Sequence, residues 1–211
     1  DRSRESRGMS TATLSTFFAV LCLVCWVAVV AIVVLAVVAR LRPDSWAAVT
    51  LEDVADVALW LGWLVAAVTT AGSLYYSLVA HFEPCELCWY QRICAYPLSA
   101  ILLVAAIRRD RRVWVYVLPL TIVGAIIATY HTQLQAFPSQ QSFCSTVTPC
   151  TTRYVWEFGF VSLPFEALAC FCFVTAMVLV ARFVPASIDD EFDDDHEVDA
   201  IDPPHQKLGV R

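Results

Sequence analysis

Five long apolar segments dominate this chain of 211 residues, and they restrict its fold more than any other feature. They cover residues 17–39, 57–80, 89–107, 113–130 and 163–184. A helix of about 20 residues crosses the hydrocarbon core of a bilayer, which is about 30 Å thick, and each segment is close to that length. Neither a strand-like alternation nor an internal repeat is visible. We therefore predict an all-α, polytopic membrane protein.

The composition supports a membrane protein and shows where the acidic charge lies. Hydrophobic residues make up 59% of the chain and charged residues only 16%, whereas a soluble domain carries about 25% charged residues. The net charge of −6 comes mainly from the stretch between Asp189 and Asp199. We interpret residues 185–211 as a disordered, solvated tail, with metal binding by this tail as the weaker alternative. No basic surface typical of nucleic-acid binding is present, so we expect no nucleic-acid partner.

The arginines predict how the helices are oriented. Four of the five residues at 108–112, in the short connection between the third and fourth segments, are arginines. Short loops rich in Lys and Arg stay in the cytoplasm. We therefore expect residues 84–88 and 136–159 on the outer face of the membrane, and the acidic tail inside.

The segment 17–39 predicts an extra N-terminal transmembrane helix. By parity this helix places the N-terminus outside, although Arg2, Arg4 and Arg7 precede it. If translation began at Met9, the chain would lack these arginines, and they would not bear on the predicted orientation. A signal peptide is a weaker interpretation, because the apolar run is too long and no small-residue cleavage site follows it.

Residues 43–56 mix apolar and acidic side chains, and we interpret them as a short amphipathic helix on the membrane surface. The predicted organisation therefore has three parts. Residues 1–56 form the extra helix and its amphipathic connector, residues 57–184 form a four-helix membrane domain, and residues 185–211 form the tail.

Cys85 and Cys88 lie at the outer end of a helix that we predict to begin near Cys88. Two cysteines at this spacing close a small, strained and reducible disulfide. The unpaired N–H groups and the dipole of a helix N-terminus stabilise a thiolate. Arg92, one turn further along the same face, adds a positive charge and could bind the polar head of a membrane cofactor. A structural disulfide or half of a zinc site is the alternative.

A second pair, Cys144 and Cys150, lies in the polar loop on the same predicted side of the membrane. Five intervening residues permit a disulfide across a tight loop. Two pairs, one at the bilayer edge and one on a mobile arm, suit a relay by thiol–disulfide exchange. Two structural disulfides are one alternative, and a zinc site formed by all four cysteines is another.

His131 belongs to a polar cluster at the outer end of the fourth helix, at the predicted depth of Cys88 and Arg92. It could donate a hydrogen bond or a proton to a quinone carbonyl, or it could simply anchor the helix at the interface. The other five cysteines lie within apolar helices and are interpreted as small hydrophobic residues: Cys22, Cys25, Cys94, Cys170 and Cys172.

Taken in order, several short motifs between Ala71 and Arg182, about half of the chain, resemble one known family. It is the family of DsbB-type disulfide bond formation proteins, in particular its BdbC-like branch from Gram-positive bacteria. The matching motifs are Gly72–Tyr75, Pro84–Arg92, Tyr130–Gln135, Pro138, Cys144, Cys150, Trp156–Gly159 and Pro164.

The resemblance implies a four-helix membrane bundle that is a thiol:quinone oxidoreductase of the bacterial cell membrane. It implies that the protein reoxidises a DsbA-like, thioredoxin-fold oxidase and passes two electrons to menaquinone or ubiquinone. The partner's thiolate would attack Cys144, and the freed Cys150 would then attack Cys85. Cys88 would be released as a thiolate against the quinone, with Arg92 and His131 near the quinone head.

The chain differs from the family in its extra N-terminal helix and its acidic tail. The short spacing between Cys144 and Cys150 fits the BdbC-like branch but not the enterobacterial proteins, so which of the two is attacked first stays open. A vitamin K epoxide reductase-like enzyme is a rival interpretation, but in that family the loop pair precedes the CxxC pair. A non-catalytic membrane scaffold or metal-binding subunit is the rival from a different class.

Overall fold

The computed structural model describes residues 2–140, 144 and 148–185. It contains five α-helices: α1 (Arg2–Leu41), α2 (Trp46–Leu78), α3 (Glu86–Arg108), α4 (Trp114–Ala136) and α5 (Leu163–Phe183). A 3-10 turn at Arg111–Val113 leads into α4. Each of the five helices contains a segment long and apolar enough to cross a membrane. The predicted all-α fold with an extra N-terminal helix is confirmed, whereas the acidic part of the tail lies outside the described residues.

The centre of the bundle is α5. Helices α1, α2 and α4 pack against it, and α3 packs against α2 and α4. Leu98, Leu102, Phe171 and Met177 are among the largest fully buried side chains of the core. Gly124 of α4 lets α5 approach closely, because a Cβ atom at this position would lie 2.4 Å from the ring of Phe171. A larger residue would therefore push the two helices apart.

Residues 43–56 differ from the prediction. Residues 46–56 are the first three turns of α2, which continues without a break to Leu78. Neither Gly nor Pro occurs between Trp46 and Leu61, so nothing in the sequence interrupts the helix. Leu51 and Ala55 lie in the hydrophobic core. Glu52, Asp53 and Asp56 thus belong to one end of a long, packed helix and not to a separate surface element.

The two ends of the bundle carry different chemistry. One end brings together the start of α3, the end of α4, the loop that follows it and the start of α5. At the other end, the arginine-rich turn is fixed by Arg111, which donates a hydrogen bond to the Val184 carbonyl at 3.0 Å, and by Asp110, which accepts from the Arg112 amide. Both cysteine pairs thus lie at the end opposite the arginine-rich turn.

Candidate functional site

Cys85 and Cys88 begin α3, with Cys85 as the N-cap residue and Cys88 one turn into the helix. The helix therefore starts slightly earlier than the sequence suggested. The Sγ atoms are 3.1 Å apart, so one thiol donates a hydrogen bond to the other sulfur. Cys85 is buried and Cys88 is half-buried. The pair is positioned to exchange between a dithiol and a disulfide with little movement of the backbone.

The loop cysteines lie directly beside this pair. Cys144 and Cys150 form a disulfide with their Cα atoms 6.0 Å apart. Cys150 is buried, and it shares one cluster of packed side chains with Cys85, Cys88 and Cys144. The structure thus brings together all four cysteines that the sequence analysis singled out.

His131 connects the two pairs. Its Nε2 atom is 3.0 Å from the Cys150 carbonyl oxygen and 3.7 Å from Cys85 Sγ. A carbonyl oxygen can only accept a hydrogen bond, so Nε2 carries a proton. Nδ1 then accepts a hydrogen bond from Gln91 Nε2, at 3.2 Å. Gln91 therefore fixes the tautomer that presents an N–H group to the loop and to the Cys85 sulfur.

The surroundings of Cys85 favour its thiolate. The hydrogen bond with Cys88 lowers the pKa of the Cys85 thiol below its usual range, and the hydrogen bond from His131 lowers it further, against the opposing effect of burial. A stabilised thiolate stabilises the reduced form of the pair. The Cys85–Cys88 disulfide is therefore a stronger oxidant than it would be without these donors.

Polar contacts fix the segment that follows Cys150. Gln135 donates from Nε2 to the Thr152 carbonyl at 2.8 Å, and Arg153 donates from Nε to the Gln135 carbonyl at 2.8 Å. Tyr154 stacks on Phe82, with ring centroids 4.7 Å apart. These contacts join the loop to the ends of α4 and α2, and so they hold Cys150 against Cys85.

An apolar cavity of about 260 Å³ lies on the other side of the CxxC pair, between α1, α2, α3 and α5. Cys88 and Arg92 both line it. Arg92 donates from Nε to Ser73 Oγ at 3.0 Å and also to Ser77 Oγ, so α2 holds the guanidinium in place. The cavity therefore combines an apolar wall, a fixed positive charge and a cysteine sulfur.

His131 does not line this cavity. It lines a smaller one of about 100 Å³ on the loop side, together with Cys85, Cys88, Pro149 and Tyr154. Of the two residues predicted to bind a cofactor, Arg92 therefore lies beside the large cavity and His131 lies on the opposite side of the CxxC pair. Cys88 alone among these cysteines lines both cavities.

More than half of the chain is similar to known proteins of disulfide bond formation. The family model described as disulfide bond formation protein DsbB matches residues 55–181, which is more than half of the chain. The chain belongs to the DsbB family. Disulfide bond formation protein C of Bacillus subtilis (strain 168) is 44% identical to it over 128 residues, which are 60% of this chain and 93% of that protein.

Two further relatives have similar coverage. A probable disulfide formation protein of Coxiella burnetii (strain RSA 493 / Nine Mile phase I) is 39% identical over 131 residues, 61% of this chain and 89% of the relative. A probable disulfide formation protein of Chlamydia caviae is 39% identical over 125 residues, 59% of this chain and 90% of the relative. No solved structure matches the chain. Membership identifies this DsbB-family chain as a membrane oxidoreductase of disulfide bond formation.

The site of this DsbB-family chain includes residues to which the sequence analysis gave no role. Ser73 and Ser77 hold Arg92, and their spacing of four residues on one helix was an available signal because such residues share a face. Gln91 was included only as part of the motif Pro84–Arg92, and it fixes the His131 ring. Glu166 lines the large cavity, but its distance in sequence from Cys88 and Arg92 gave no sign of that position.

Three donor atoms in the described part of the chain are arranged as metal ligands could be. The sulfurs of Cys85 and Cys88 and a ring nitrogen of His131 lie within 4.8 Å of one another. Nε2, the ring nitrogen 3.7 Å from Cys85 Sγ, carries a proton while it donates to the Cys150 carbonyl, so its lone pair is not available to a metal ion. The cluster is accordingly explained by thiol chemistry, in agreement with family membership.

Proposed function

We propose that this DsbB-family chain is a thiol:quinone oxidoreductase that reoxidises a DsbA-like, thioredoxin-fold oxidase outside the cytoplasm. The observation that supports this most strongly is the position of the CxxC pair. Cys85 lies beside the loop disulfide, and Cys88 lines an apolar cavity that also contains Arg92. Electrons that enter at the loop would thus leave on the side of the cavity.

The first exchange joins the partner protein to Cys144 in a mixed disulfide. A partner thiolate attacks Cys144 Sγ, the Cys144–Cys150 bond breaks, and Cys150 leaves as a thiolate. Cys150 then attacks Cys85 Sγ of the oxidised CxxC pair, and Cys88 leaves as a thiolate. Their shared cluster makes this second attack a short-range step.

The second exchange restores the loop. The partner's other thiolate attacks its mixed disulfide with Cys144, which closes the partner's disulfide and releases Cys144 as a thiolate. Cys144 then attacks Cys150, re-forms the loop disulfide and releases Cys85. The net result is one oxidised partner and one reduced Cys85–Cys88 pair, with two electrons transferred.

The large cavity fits the head of a quinone. Its lining is apolar except for a few groups, and Ser73 and Ser77 accept from Nε and Nη2 of Arg92, which leaves Nη1 to bind a carbonyl oxygen. When bound, menaquinone or ubiquinone would supply the two-electron oxidation that returns the pair to a disulfide. Cys88 is the cysteine of the pair that faces this cavity, and Arg92 stabilises negative charge beside it.

His131 acts at the step between the two pairs in this proposal. Its Nε2–H group stabilises the Cys85 thiolate and holds the Cys150 backbone beside it. Gln91 is a positioning residue that keeps the proton on Nε2. Neither function requires contact between His131 and the quinone.

The arginine distribution supports an orientation in which the cysteine end of the bundle faces outward. The arginine-rich turn before α4 lies at the opposite end, and positively charged short loops stay in the cytoplasm. In this orientation the tail is cytoplasmic, and both cysteine pairs meet the oxidising side of a bacterial cell membrane.

The test is quinone reduction by the purified protein in detergent, followed by quinone absorbance with a reduced thioredoxin-fold protein as donor. We expect stoichiometric quinone reduction by the wild type and none by Cys88→Ser or Cys150→Ser. Cys94→Ser is the matched control, since Cys94 is buried in α3 and lines neither cavity. Absence of quinone reduction with every reduced dithiol protein tested would overturn the proposal.

A further inference from the structure

We propose that α1 forms one wall of the quinone cavity and so determines which quinone side chains the protein accepts. This inference rests on the proposed function. The match to the DsbB family begins at residue 55, so the whole of α1 lies outside it. Nevertheless, four residues of α1 line the same cavity as Cys88 and Arg92: Phe18, Leu21, Cys22 and Cys25.

Beside the cavity, α1 and α2 are joined by a hydrogen bond and by close packing of aromatic rings. Tyr76 donates from its hydroxyl to Ser15 Oγ at 3.2 Å, and both side chains are buried. The Phe18 ring lies against Gly72, where a Cβ atom would be only 2.9 Å from it, and contacts the Tyr76 ring at a centroid distance of 5.9 Å. Gly72 therefore provides the space that lets Phe18 reach the cavity.

The next turns of α1 pack against α5. Trp26 stacks on Phe165 with centroids 5.8 Å apart, and Cys22 Sγ lies 3.9 Å from the Phe165 carbonyl oxygen. The outer face of the same helix is different, because Val27 is 70% exposed and Val30 is 60% exposed. A helix that served only as an anchor would not need one face fitted to a cavity and the other left for lipid.

A buried oxygen atom of Glu166 indicates which class of ligand the cavity would bind. Glu166 lines the cavity, and its Oε1 atom is buried without a hydrogen-bond partner among the described residues. A buried oxygen of this kind is stabilised by a donor from a ligand or water. The cavity thus offers donors at Arg92 and an acceptor at Glu166, which suits a molecule that alternates between carbonyl and hydroxyl oxygens, as a quinone and its quinol do.

The test measures quinone use by the full chain in detergent. Phe18→Ala and Leu21→Ala shorten the wall, and Val27→Ala and Val30→Ala are matched controls on the lipid face of the same helix. We expect the wall variants to raise KM for the quinone roughly ten-fold, in the range that one hydrophobic contact contributes to discrimination, with kcat nearly unchanged. The rise should depend on the length of the quinone side chain, which is varied with short-chain and long-chain analogues.

Direct binding of the same quinones to the oxidised protein, by quenching of tryptophan fluorescence, gives a measure that does not require turnover. Phe18→Leu and the thermal unfolding of each variant separate a local change at the wall from a failure to fold. Equal KM and binding constants for wall and control variants would overturn the inference while leaving the proposed function intact. A wild type that neither reduces nor binds any quinone would overturn both.

Discussion

The contact between His131 and Cys85 can be tested by removing its donor. In His131→Leu, the Cys85 thiolate loses the N–H group that lies 3.7 Å from its sulfur, while an apolar side chain still fills part of the space. We expect the reduction potential of the Cys85–Cys88 pair to fall, because its reduced form loses a stabilising hydrogen bond. His131→Gln, which keeps an N–H donor, should restore part of the loss.

The size of the fall follows from the geometry. A hydrogen bond to a charged group contributes about 1.5–3 kcal/mol, and the distance of 3.7 Å is long even for a sulfur acceptor. The lower end of that range is therefore appropriate. For a two-electron couple about 1.4 kcal/mol corresponds to about 30 mV, so the potential should fall by about 30 mV.

The difference should also depend on pH. The pKa of Cys85 is lowered in the folded protein by Cys88 and then by His131. The stabilisation of the thiolate is therefore complete above the ordinary cysteine pKa of about 8.5 and is lost as the pH falls through the lowered pKa. Wild type and His131→Leu should differ most in mildly alkaline solution, and the difference should disappear in acid.

The assay isolates the CxxC pair by replacing both Cys144 and Cys150 with Ser in every variant compared. Each protein is equilibrated with a thiol–disulfide buffer of known potential, and the remaining thiols are alkylated and counted by mass spectrometry. Gln91→Leu should give a smaller fall, since it frees the imidazole tautomer but keeps the ring. An unchanged or raised potential in His131→Leu, or a difference that persists in acid, would refute the reasoning.

Two further predictions concern the packing and the loop. Gly124→Ala should destabilise the bundle by about 1–3 kcal/mol, since its Cβ atom would overlap the Phe171 ring. Gly62→Ala, whose Cβ atom would lie 3.5 Å from the nearest atom, should be neutral or stabilise the bundle by about 0.5–1 kcal/mol. Thermal unfolding in detergent measures both changes, and equal unfolding temperatures of the two variants would contradict the packing argument. Arg153→Ala should speed proteolysis of the loop, because it removes the hydrogen bonds to the Gln135 carbonyl. Arg153→Lys should have a smaller effect. An unchanged cleavage rate in Arg153→Ala would show that the loop is held by other contacts.

The sequence predicted the helices better than their ends. Five apolar segments predicted five helices, because length and charge-free composition are sufficient to identify a membrane span. The fourth apolar segment ends at residue 130, whereas α4 continues to Ala136, and hydropathy does not mark this last part because His131 and Gln135 are polar although they are buried. The same limit applied to residues 46–56, whose acidic side chains suggested a separate element although the backbone continues into α2.

The composition of the site was partly accessible from the sequence. The spacing of the cysteines and the resemblance to a family together singled out the four cysteines that the structure brings into one cluster. The position of α1 beside the large cavity was not accessible, because its cavity residues are apolar side chains within an apolar helix. Nothing in hydropathy distinguishes such a residue from its neighbours that face lipid.

Arg92 and His131 were predicted at the same depth in the membrane, but they line different cavities. Topology places residues at a depth in the membrane, and both side chains do lie near the cysteine end of the bundle. Depth does not fix the direction around the helix axis, and consecutive residues of a helix are rotated by about 100°. Gln91 and Arg92 both line the large cavity, but their end groups bond in different directions, since the Gln91 amide bonds to His131 and Arg92 bonds to Ser73. The CxxC pair lies between the loop and the large cavity, so that Cys85 packs beside the loop disulfide while Cys88 lines the cavity.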